Sequence, residues 1–283
     1  MTLVKSIGIL GAGQMGRGIA QVASMSGHDV LLYDAFPKSL ENGFSFIESQ
    51  LKRGIEKGKW SKDIVEETLK RLALKKDLEA LKDCDLIIEA ATENKNVKFE
   101  LFKECDKLAK KEAILVSNTS SISITEIAAQ TERPQKVAGM HFMNPVPVMK
   151  LVEGIRGLET SDETFKVVAG VAEKMGKVFV KANDVPGFAV NRILMPMINE
   201  AIYALYEGVS DIQDIDNAMK LGTNQPMGPF ELADFIGLDT CLAIMEVLYD
   251  GLSDTKYRPC PLLKKYVSAG RLGKKSGRGF YEY

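Results

Sequence analysis

Short runs of apolar residues alternate with amphipathic stretches along the chain up to about residue 184. Unbroken apolar runs are typical of buried strands, whereas apolar residues three or four positions apart are typical of helices. Strands that alternate with helices predict right-handed crossovers and a parallel sheet. The predicted strands cover 4–10, 30–33, 86–88, 113–116, 137–142, 149–155 and 178–181, and the predicted helices cover 14–26, 38–57, 61–72, 97–109, 124–129 and 164–175.

The pattern changes near Asp184. From Pro186 to Tyr249 the chain shows helical periodicity and almost no β-branched runs. Pro186 suits the first position of a helix, and Asp184 lies close enough to cap it. The sequence therefore predicts an α/β domain over residues 1–184, followed by an all-helical domain over residues 185–283.

Composition narrows the classes of partner. The chain is 45% hydrophobic and 27% charged, and its 37 basic and 38 acidic residues leave a formal charge of -1, which gives no support to nucleic-acid binding. The chain has no apolar run of membrane-spanning length and no signal-peptide pattern at its start, so we expect neither a membrane partner nor export. Its four cysteines and two histidines form no zinc pattern, and widely spaced thiols favour a cytoplasmic location.

The first predicted strand leads into Gly11-Ala12-Gly13-Gln14-Met15-Gly16, which opens the first predicted helix. In that context the three glycines indicate a dinucleotide site, with a tight turn, close approach to a pyrophosphate, and close packing of helix on strand. The free amides at the start of the helix suit the phosphates. The fold is therefore predicted to be a Rossmann-type doubly wound sheet, with cofactor contacts from Gly11, Gly13, Gln14, Met15 and Gly16.

Asp34 ends the second predicted strand, 18 residues after Gly16. A carboxylate there accepts hydrogen bonds from an adenosine ribose and repels a 2′-phosphate. No arginine follows it, so NAD is favoured over NADP. The alternative is a structural glycine turn with an unrelated surface aspartate.

His141 is the candidate acid/base of the chain. It lies at the end of the predicted strand 137–142, and ligands bind at the carboxyl ends of strands in open α/β sheets. Reduction of a ketone needs a proton donor, and histidine suits that two-way role. The other histidine, His28, is interpreted as a surface residue in a loop.

Glu153 follows 12 residues after His141, in the next predicted strand. If the two strands lie side by side, its carboxylate can bond the second ring nitrogen of His141, fix the tautomer and favour the charged form. The alternative is a solvated or salt-bridged glutamate.

Two further segments carry candidate polar groups. Ser117-Asn118-Thr119-Ser120-Ser121 follows a predicted strand, where its hydroxyls and amides could hold a substrate carbonyl or the nicotinamide. The alternative is a polar loop that caps the helix starting near Ser123. Asn191 lies in the first helix predicted for the second domain, where its amide could reach an interdomain cleft.

These motifs together resemble those of the 3-hydroxyacyl-CoA dehydrogenases, and most closely the bacterial 3-hydroxybutyryl-CoA branch of butyrate metabolism. The likeness covers essentially the whole chain. Its motifs are the glycine loop, 117–121, His141-Phe142-Met143-Asn144-Pro145, Asp184-Val185-Pro186-Gly187-Phe188 and the segment 273–281.

The resemblance implies a hydride transfer between NAD(H) and a short 3-hydroxyacyl-CoA or 3-ketoacyl-CoA. It implies His141 as acid/base with Glu153 as its partner, and a homodimer through the helical domain. It further implies that Ser117, Asn144 and Asn191 line the substrate and nicotinamide site, that Glu93, Lys98 and Lys275 contact the cofactor, and that Arg53 and Lys57 contact the CoA phosphates. The alternative for Arg53 and Lys57 is the solvated face of a charged helix. Position 53 is arginine where the family pattern leads us to expect lysine, which changes the hydrogen-bond geometry but not the charge.

Two rival functions remain open. Dehydrogenases of free 2-alkyl-3-hydroxy acids use a lysine on the first long helix after the nucleotide domain, and this chain has no lysine there before Asn199. A non-catalytic dinucleotide-binding protein, like the lens crystallin related to this family, would need neither His141 nor Glu153.

Overall fold

The computed structural model describes residues 4–283, so residues 1–3 of the predicted first domain lie outside the described part. The chain divides into two compact units, Met1–Asp184 and Val185–Tyr283. The first unit contains strands β1 (Ser6–Leu10), β2 (Asp29–Tyr33), β3 (Leu72–Lys75), β4 (Leu86–Glu89), β5 (Ile114–Ser117), β6 (Val137–Phe142), β7 (Leu151–Arg156) and β8 (Val178–Asn183), with helices α1 (Gln14–Met25), α2 (Pro37–Glu56), α3 (Lys62–Lys70), α4 (Lys95–Leu108), α5 (Ile124–Ala128) and α6 (Asp162–Lys174).

The strands form one sheet in the order β3-β2-β1-β4-β5-β6-β7-β8. Because β1 pairs in parallel with both β2 and β4, the strand order reverses between β1 and β4. Ligands bind beyond the carboxyl ends of strands at such a reversal. Here the ends of three strands are aligned, since Leu10 lies opposite Glu89 and Glu89 lies opposite Ser117.

The pairing of β6 with β7 is antiparallel, whereas the other neighbouring strands of the sheet are parallel. The prediction of a parallel sheet is therefore wrong for this one pair. The physical reason is the connection: residues 143–150 are too few for a crossover, which needs about a dozen residues or more.

The core of the first unit lies between the sheet and its helices. α1 contacts β1 and β2, and α6 contacts β6, β7 and β8. Burial of apolar side chains from both layers stabilises this arrangement by about 25 cal/mol per Å² removed from water. The fully buried members include Ile7, Ile9, Ile19, Val30, Leu32, Ile47, Leu51, Leu86, Ile88, Val116, Met140 and Val168.

The predicted helix over 61–72 is wrong at its carboxyl end. Ser61 caps the amino end of α3 by accepting a hydrogen bond from the Ile64 amide, but the helix stops at Lys70. Leu72 begins β3 and lies opposite Val30 in β2. Pairing with the sheet outweighs the helical periodicity there.

The first helix of the second unit does not begin at Pro186 as predicted. Residues 186–189 form a turn and α7 starts at Val190. Gly187 and Phe188 have φ angles of 77° and 48°, in the left-handed region. A right-handed helix cannot continue through two such residues, so the turn has to precede it.

Asp184 was predicted to cap that helix and instead holds the start of α5. Its carboxylate accepts hydrogen bonds from the Ile124 amide at 2.9 Å, the Thr125 amide at 2.7 Å and the Ser123 hydroxyl at 2.7 Å. These amides are among those that a helix start leaves without backbone partners. Asp184 therefore ties the end of the first unit to the start of α5.

His28 was predicted to be a surface residue, and this prediction is wrong. The side chain is 1% exposed between α1 and β2. Burial, followed by the nearby Lys174 ammonium, lowers the pKa of His28, so the imidazole is held neutral at physiological pH.

The second unit consists of helices joined by turns, with isolated β-bridges between residues 273 and 282, so the predicted α/β Rossmann-type fold followed by a helical part is confirmed. Phe230, Leu238 and Leu248 are fully buried in its core. Among residues 4–283, no helix is both long and apolar enough to cross a lipid bilayer. Its helices are α7 (Val190–Tyr206), α8 (Ile212–Thr223), α9 (Pro229–Ile236), α10 (Leu238–Leu252) and α11 (Pro261–Ser268).

Two buried aspartates hold the segment 280–283 against this helical core. Asp234 accepts hydrogen bonds from the Phe280 amide at 3.0 Å, the Tyr281 amide at 2.9 Å and the Tyr283 hydroxyl at 3.1 Å. Asp216 accepts a fourth, from the Tyr281 hydroxyl at 2.8 Å. Each aspartate is 1% exposed, so these bonds satisfy charges that solvent does not reach.

A single aspartate also joins the starts of two strands in the first unit. Asp85, just before β4, accepts from the amides of Lys5 and Ser6 at 2.7 Å and 2.9 Å, and it pairs with Lys110 at 2.6 Å. Burial alone would raise the pKa of Asp85, but the bonds from Lys110 and the two amides outweigh it and lower the pKa to about 2.

We expect Asp85→Asn to destabilise the protein at neutral pH by about 2 kcal/mol, since hydrogen bonds to a charged acceptor are lost. Because the pKa of Asp85 is lower in the folded than in the unfolded protein, its charge stabilises the fold at pH values above the unfolded-state pKa of about 4. This stabilisation is lost as the pH falls toward 2. The difference in the free energy of unfolding between the wild type and Asp85→Asn, measured in urea, should therefore become smaller from pH 6 to pH 3. Asp83→Asn, at an exposed neighbouring position, is the control; a difference that stays constant with pH would contradict the role of the Asp85 charge.

Candidate active site

The glycine loop between β1 and α1 has the shape that a dinucleotide requires. Gly11 has a φ of 97°, and a Cβ there would lie 2.6 Å from the Ala90 carbonyl oxygen. A Cβ on Gly16 would lie 1.8 Å from the Gly11 oxygen, so helix and strand approach as closely as backbone allows. Beside Gly13, by contrast, a Cβ would meet nothing within 4 Å. The loop is tightly packed at Gly11 and Gly16. The space beside Gly13 is free, and a phosphate would lie on this side.

The amino end of α1 lies at this open side. Gly13 is the N-cap and supplies no side-chain hydrogen bond to the first turn, which Gln14 and Met15 begin. Gln14 is exposed and Met15 partly buried. Unsatisfied amides and the positive end of the helix dipole suit an anion, so these residues fit the pyrophosphate of a dinucleotide.

Asp34 lies next to the glycine loop, after β2. One carboxylate oxygen accepts a hydrogen bond from the Ala12 amide at 2.8 Å, and the other accepts one from the Phe36 amide at 2.9 Å. Asp34 therefore fixes the loop as well as offering a negative charge at the end of β2. Both features fit a ribose with free hydroxyl groups better than one that carries a phosphate.

The loop after β6 is tied to the start of α1. The Gln14 side-chain amide donates to the Asn144 side-chain oxygen at 3.1 Å. Farther along this loop, the Lys177 ammonium donates to the Met149 carbonyl oxygen at 2.8 Å, and burial lowers the pKa of Lys177. The segment that follows His141 is therefore held from two directions.

His141 and Glu153 face each other across the antiparallel pair β6–β7. They are direct partners in the register, and Nδ1 of His141 lies 2.7 Å from Oε2 of Glu153. Glu153 is completely buried and His141 nearly so. A buried carboxylate at this distance fixes the orientation of the ring. The strand pairing on which the sequence hypothesis depended is present.

A buried charged cluster lies where β4 and β5 end. The Lys98 ammonium, from α4, pairs with the Glu89 carboxylate. The Ser117 hydroxyl donates to the same Glu89 oxygen at 2.7 Å and lies 3.3 Å from the Lys98 nitrogen. Glu89 and Lys98 are 1% exposed and Ser117 is 0% exposed.

A second carboxylate, Glu93, organises the loop above this cluster. One of its oxygens accepts from the Thr119 hydroxyl at 2.9 Å and from the Ser120 amide and hydroxyl at 2.6 Å and 2.9 Å. The Ser121 hydroxyl lies 3.3 Å from that oxygen, while the other Glu93 oxygen is 3.6 Å from the Lys98 ammonium. Glu93 and Ser120 are accessible, in contrast to Glu89 and Ser117.

This arrangement corrects the role given to Ser117. The sequence hypothesis placed it on the substrate, but its hydroxyl is fully buried and its one proton is donated to Glu89. Ser120, which the sequence analysis named only as one member of the segment 117–121, is partly exposed and is held by Glu93 through both its amide and its hydroxyl. Glu89 was missed as well, although a glutamate at the end of an otherwise apolar strand is itself a signal of buried chemistry.

Two further predicted residues belong to helix α2 and not to this cluster. Arg53 is in the last turn of α2 and Lys57 is its C-cap, and both are exposed. They share one helix end, four residues apart, and neither forms an ion pair with another of residues 4–283.

Asn191 and Lys275 belong to the second unit. Asn191 is the second residue of α7, the first helix of this unit, and is buried. Lys275 is exposed and donates to Asp239 at 2.7 Å.

The first unit thus combines, along the carboxyl ends of its strands, a dinucleotide cradle, an imidazole with a buried carboxylate, and an anchored serine hydroxyl. Such a set can bind a cofactor, exchange a proton and stabilise charge on a substrate oxygen.

Comparison with known proteins agrees with this chemistry. Residues 6–185 match the family described as 3-hydroxyacyl-CoA dehydrogenase, NAD binding domain, and residues 187–283 match its C-terminal domain. A probable 3-hydroxybutyryl-CoA dehydrogenase of Bacillus subtilis is 59% identical over 99% of this chain and 98% of its own length. The 3-hydroxybutyryl-CoA dehydrogenase of Bradyrhizobium diazoefficiens is 54% identical over 99% and 96%. The crystal structure of (S)-3-hydroxybutyryl-CoA dehydrogenase from Ralstonia eutropha superposes with a TM-score of 0.97, at 47% identity and 99% coverage of both chains.

Proposed function

Because the chain belongs to the 3-hydroxyacyl-CoA dehydrogenase family, we propose that it interconverts (S)-3-hydroxybutyryl-CoA and acetoacetyl-CoA with NAD(H). The family makes it an NAD-dependent oxidoreductase, and the names of its close relatives support the four-carbon thioester. The observation that carries the proposal is the His141–Glu153 pair, which lies at the same sheet edge as the glycine loop.

The proposed chemistry of this chain is proton transfer and charge stabilisation. NADH, when bound, supplies the hydride that reduces C3 of the ketoacyl group. His141, protonated and held through Nδ1 by Glu153, gives the proton on Nε2 to the oxygen on C3. In the oxidative direction the same nitrogen, unprotonated, removes the hydroxyl proton. Glu153 stabilises the imidazolium in both directions and contacts no substrate.

Charge that develops on the C3 oxygen needs a hydrogen-bond donor, and we assign this role to Ser120 instead of Ser117. Ser117 would have to leave a buried acceptor that is also paired with an ammonium. Ser120 leaves only one of several bonds to Glu93, whose oxygen keeps the Thr119 hydroxyl and the Ser120 amide. The exchange is therefore less costly at Ser120.

The remaining assignments extend the family resemblance. Asn191 is proposed to support the substrate oxygen, and Asn144 and Lys275 the cofactor. Arg53 and Lys57 are proposed to hold the CoA phosphates, for which two exposed cations on one helix end are suited. For Lys98, burial supports an indirect role through Glu89 and Glu93.

Assembly and location also belong to the proposal. A homodimer through the helical unit is supported by its exposed apolar side chains, among them Ile193, Val209 and Leu221. A cytoplasmic location is supported by the cysteines, all four of which are free and buried. Burial raises the pKa of the Cys84 thiol to about 12, which keeps it unreactive.

The direct test follows the oxidation of NADH by absorbance with acetoacetyl-CoA, with longer ketoacyl-CoAs and with free acetoacetate. We expect turnover of the thioesters, fastest with acetoacetyl-CoA. Faster turnover of the free acid would favour a dehydrogenase of free hydroxy acids, and no turnover of any substrate would favour a non-catalytic NAD-binding protein.

Cofactor choice depends on Asp34. We expect the wild type to prefer NADH over NADPH by at least roughly tenfold, about 1.4 kcal/mol, because the carboxylate repels a 2′-phosphate. Asp34→Asn keeps an oxygen for the Ala12 amide and removes the charge, so it should narrow the ratio of kcat/KM values while the loop stays ordered. Asp34→Ala should narrow the ratio and also weaken NADH binding. Equal use of both cofactors by the wild type would contradict the assignment.

The acid/base pair gives a sharper prediction. His141→Gln should lower kcat by about 10²- to 10⁴-fold and leave the NADH dissociation constant almost unchanged, since general acid catalysis is lost. Glu153→Gln should lower kcat less. The double variant should be little slower than His141→Gln, because Glu153 acts through the histidine. Fully additive losses would give Glu153 an independent role, and a normal kcat in His141→Gln would remove His141 from the mechanism.

A further inference from the structure

Glu89 is a buried carboxylate that the proposed chemistry does not use. It ends β4 at the reversal of the strand order, opposite Leu10 in β1 and Ser117 in β5. One of its oxygens accepts from the Ala91 amide at 2.9 Å, and the other is bonded by the Lys98 ammonium and the Ser117 hydroxyl. A carboxylate shielded from water at this edge of a sheet is costly unless every one of these bonds forms.

Lys98 is shared between two carboxylates. Its ammonium pairs with Glu89 on the buried side and lies 3.6 Å from Glu93 on the accessible side. Lys98 and Glu89 are each 1% exposed, so water screens their attraction poorly, whereas the Glu93 side chain is 45% exposed and attracts the ammonium more weakly. The position of the ammonium is therefore a balance between the two acids.

Glu93, in turn, sets the position of the Ser120 hydroxyl. One Glu93 oxygen accepts from both the amide and the hydroxyl of Ser120, while the other faces Lys98. If Glu89 lost its charge, Lys98 would be attracted by Glu93 alone. The Glu93 carboxylate would then turn toward Lys98, and its bonds to the 119–121 loop would lengthen.

We propose that Glu89 is a positioning residue for the reaction: by holding Lys98 it keeps Glu93 on the 119–121 loop and so fixes the hydroxyl of Ser120. This inference rests on the proposed function, because it assumes that Ser120 faces the substrate oxygen. Glu89 touches neither substrate nor cofactor, and Ser117 serves as an anchor of the buried cluster.

The test measures kcat with acetoacetyl-CoA, the NADH dissociation constant and the melting temperature. Glu89→Gln is made with Ser120 intact and in a Ser120→Ala background. We expect kcat to fall about 10- to 100-fold when Ser120 is present, since misplacement by about 1 Å costs on that order. In the Ser120→Ala background the same change should cost about twofold or less. Glu100→Gln, an exposed acid on α4, is the matched control and should change none of the three quantities.

A paired variant tests the pull of Lys98 on Glu93. Glu89→Gln/Lys98→Met removes both buried charges, so it should regain the melting temperature that Glu89→Gln loses. It should also regain most of kcat, because no ammonium then draws Glu93 away from the 119–121 loop. A kcat that stays as low as in Glu89→Gln would overturn the proposal, as would equal fold-losses in the two Ser120 backgrounds. If Glu89→Gln does not fold, Glu89→Asp, which keeps the charge but is shorter, is measured by the same criterion.

A crystal structure of the folded Glu89 variant tests the proposal without turnover. The distance from the Glu93 oxygen to the Ser120 hydroxyl, 2.9 Å in the wild type, should increase beyond hydrogen-bonding range. An unchanged distance would overturn the positioning role. Failure of the proposed function would give a different result, since the wild type itself would then not turn over acetoacetyl-CoA.

Discussion

The parallel pairing of β1 with β4 is the constraint on which the rest of the first unit depends. It reverses the strand order and so leaves an opening beyond the carboxyl ends of these strands. The backbone segments beside this opening approach each other closely, because Gly16 of α1 lies against Gly11 and Gly11 lies against Ala90. Any side chain at these two glycines would force apart the helix and the strand ends that carry the candidate chemistry.

The same edge of the sheet accepts charges that water does not solvate. Glu89, Lys98 and Glu153 are almost completely buried, and each has a partner of opposite charge or a ring nitrogen within bonding distance. Buried pairs contribute little net stability compared with apolar residues of the same size, since desolvation offsets most of the attraction. They are better explained by what they orient: the imidazole in one case and the serine loop in the other.

Local patterns were sufficient to predict much of this. Apolar runs and helical periodicity identified every described strand except β3, and the residues at the strand ends singled out the glycine loop, Asp34 and the bond between Glu153 and His141. The errors came from tertiary context. The sequence pattern at Leu72 and Pro186 favours helix, but sheet pairing and two left-handed residues determine the outcome. The burial of His28, and the choice between Ser117 and Ser120, depend on which side chains surround them, and spacing along the chain contains no such information.

The four hydrogen bonds from the segment 280–283 to Asp216 and Asp234 have a consequence for biosynthesis. These residues are translated last of those described, and the most recently made part of any growing chain is enclosed in the ribosomal tunnel. Asp234 therefore lacks its partners from this segment while α9 and α10 emerge, and Asp216 then has only the Phe230 and Glu231 amides. The sheet unit, whose ties at Asp85 and Asp184 involve only residues made earlier, can complete its structure while synthesis continues. The positions along the chain of the partners of these buried aspartates therefore favour folding of the first unit before the second.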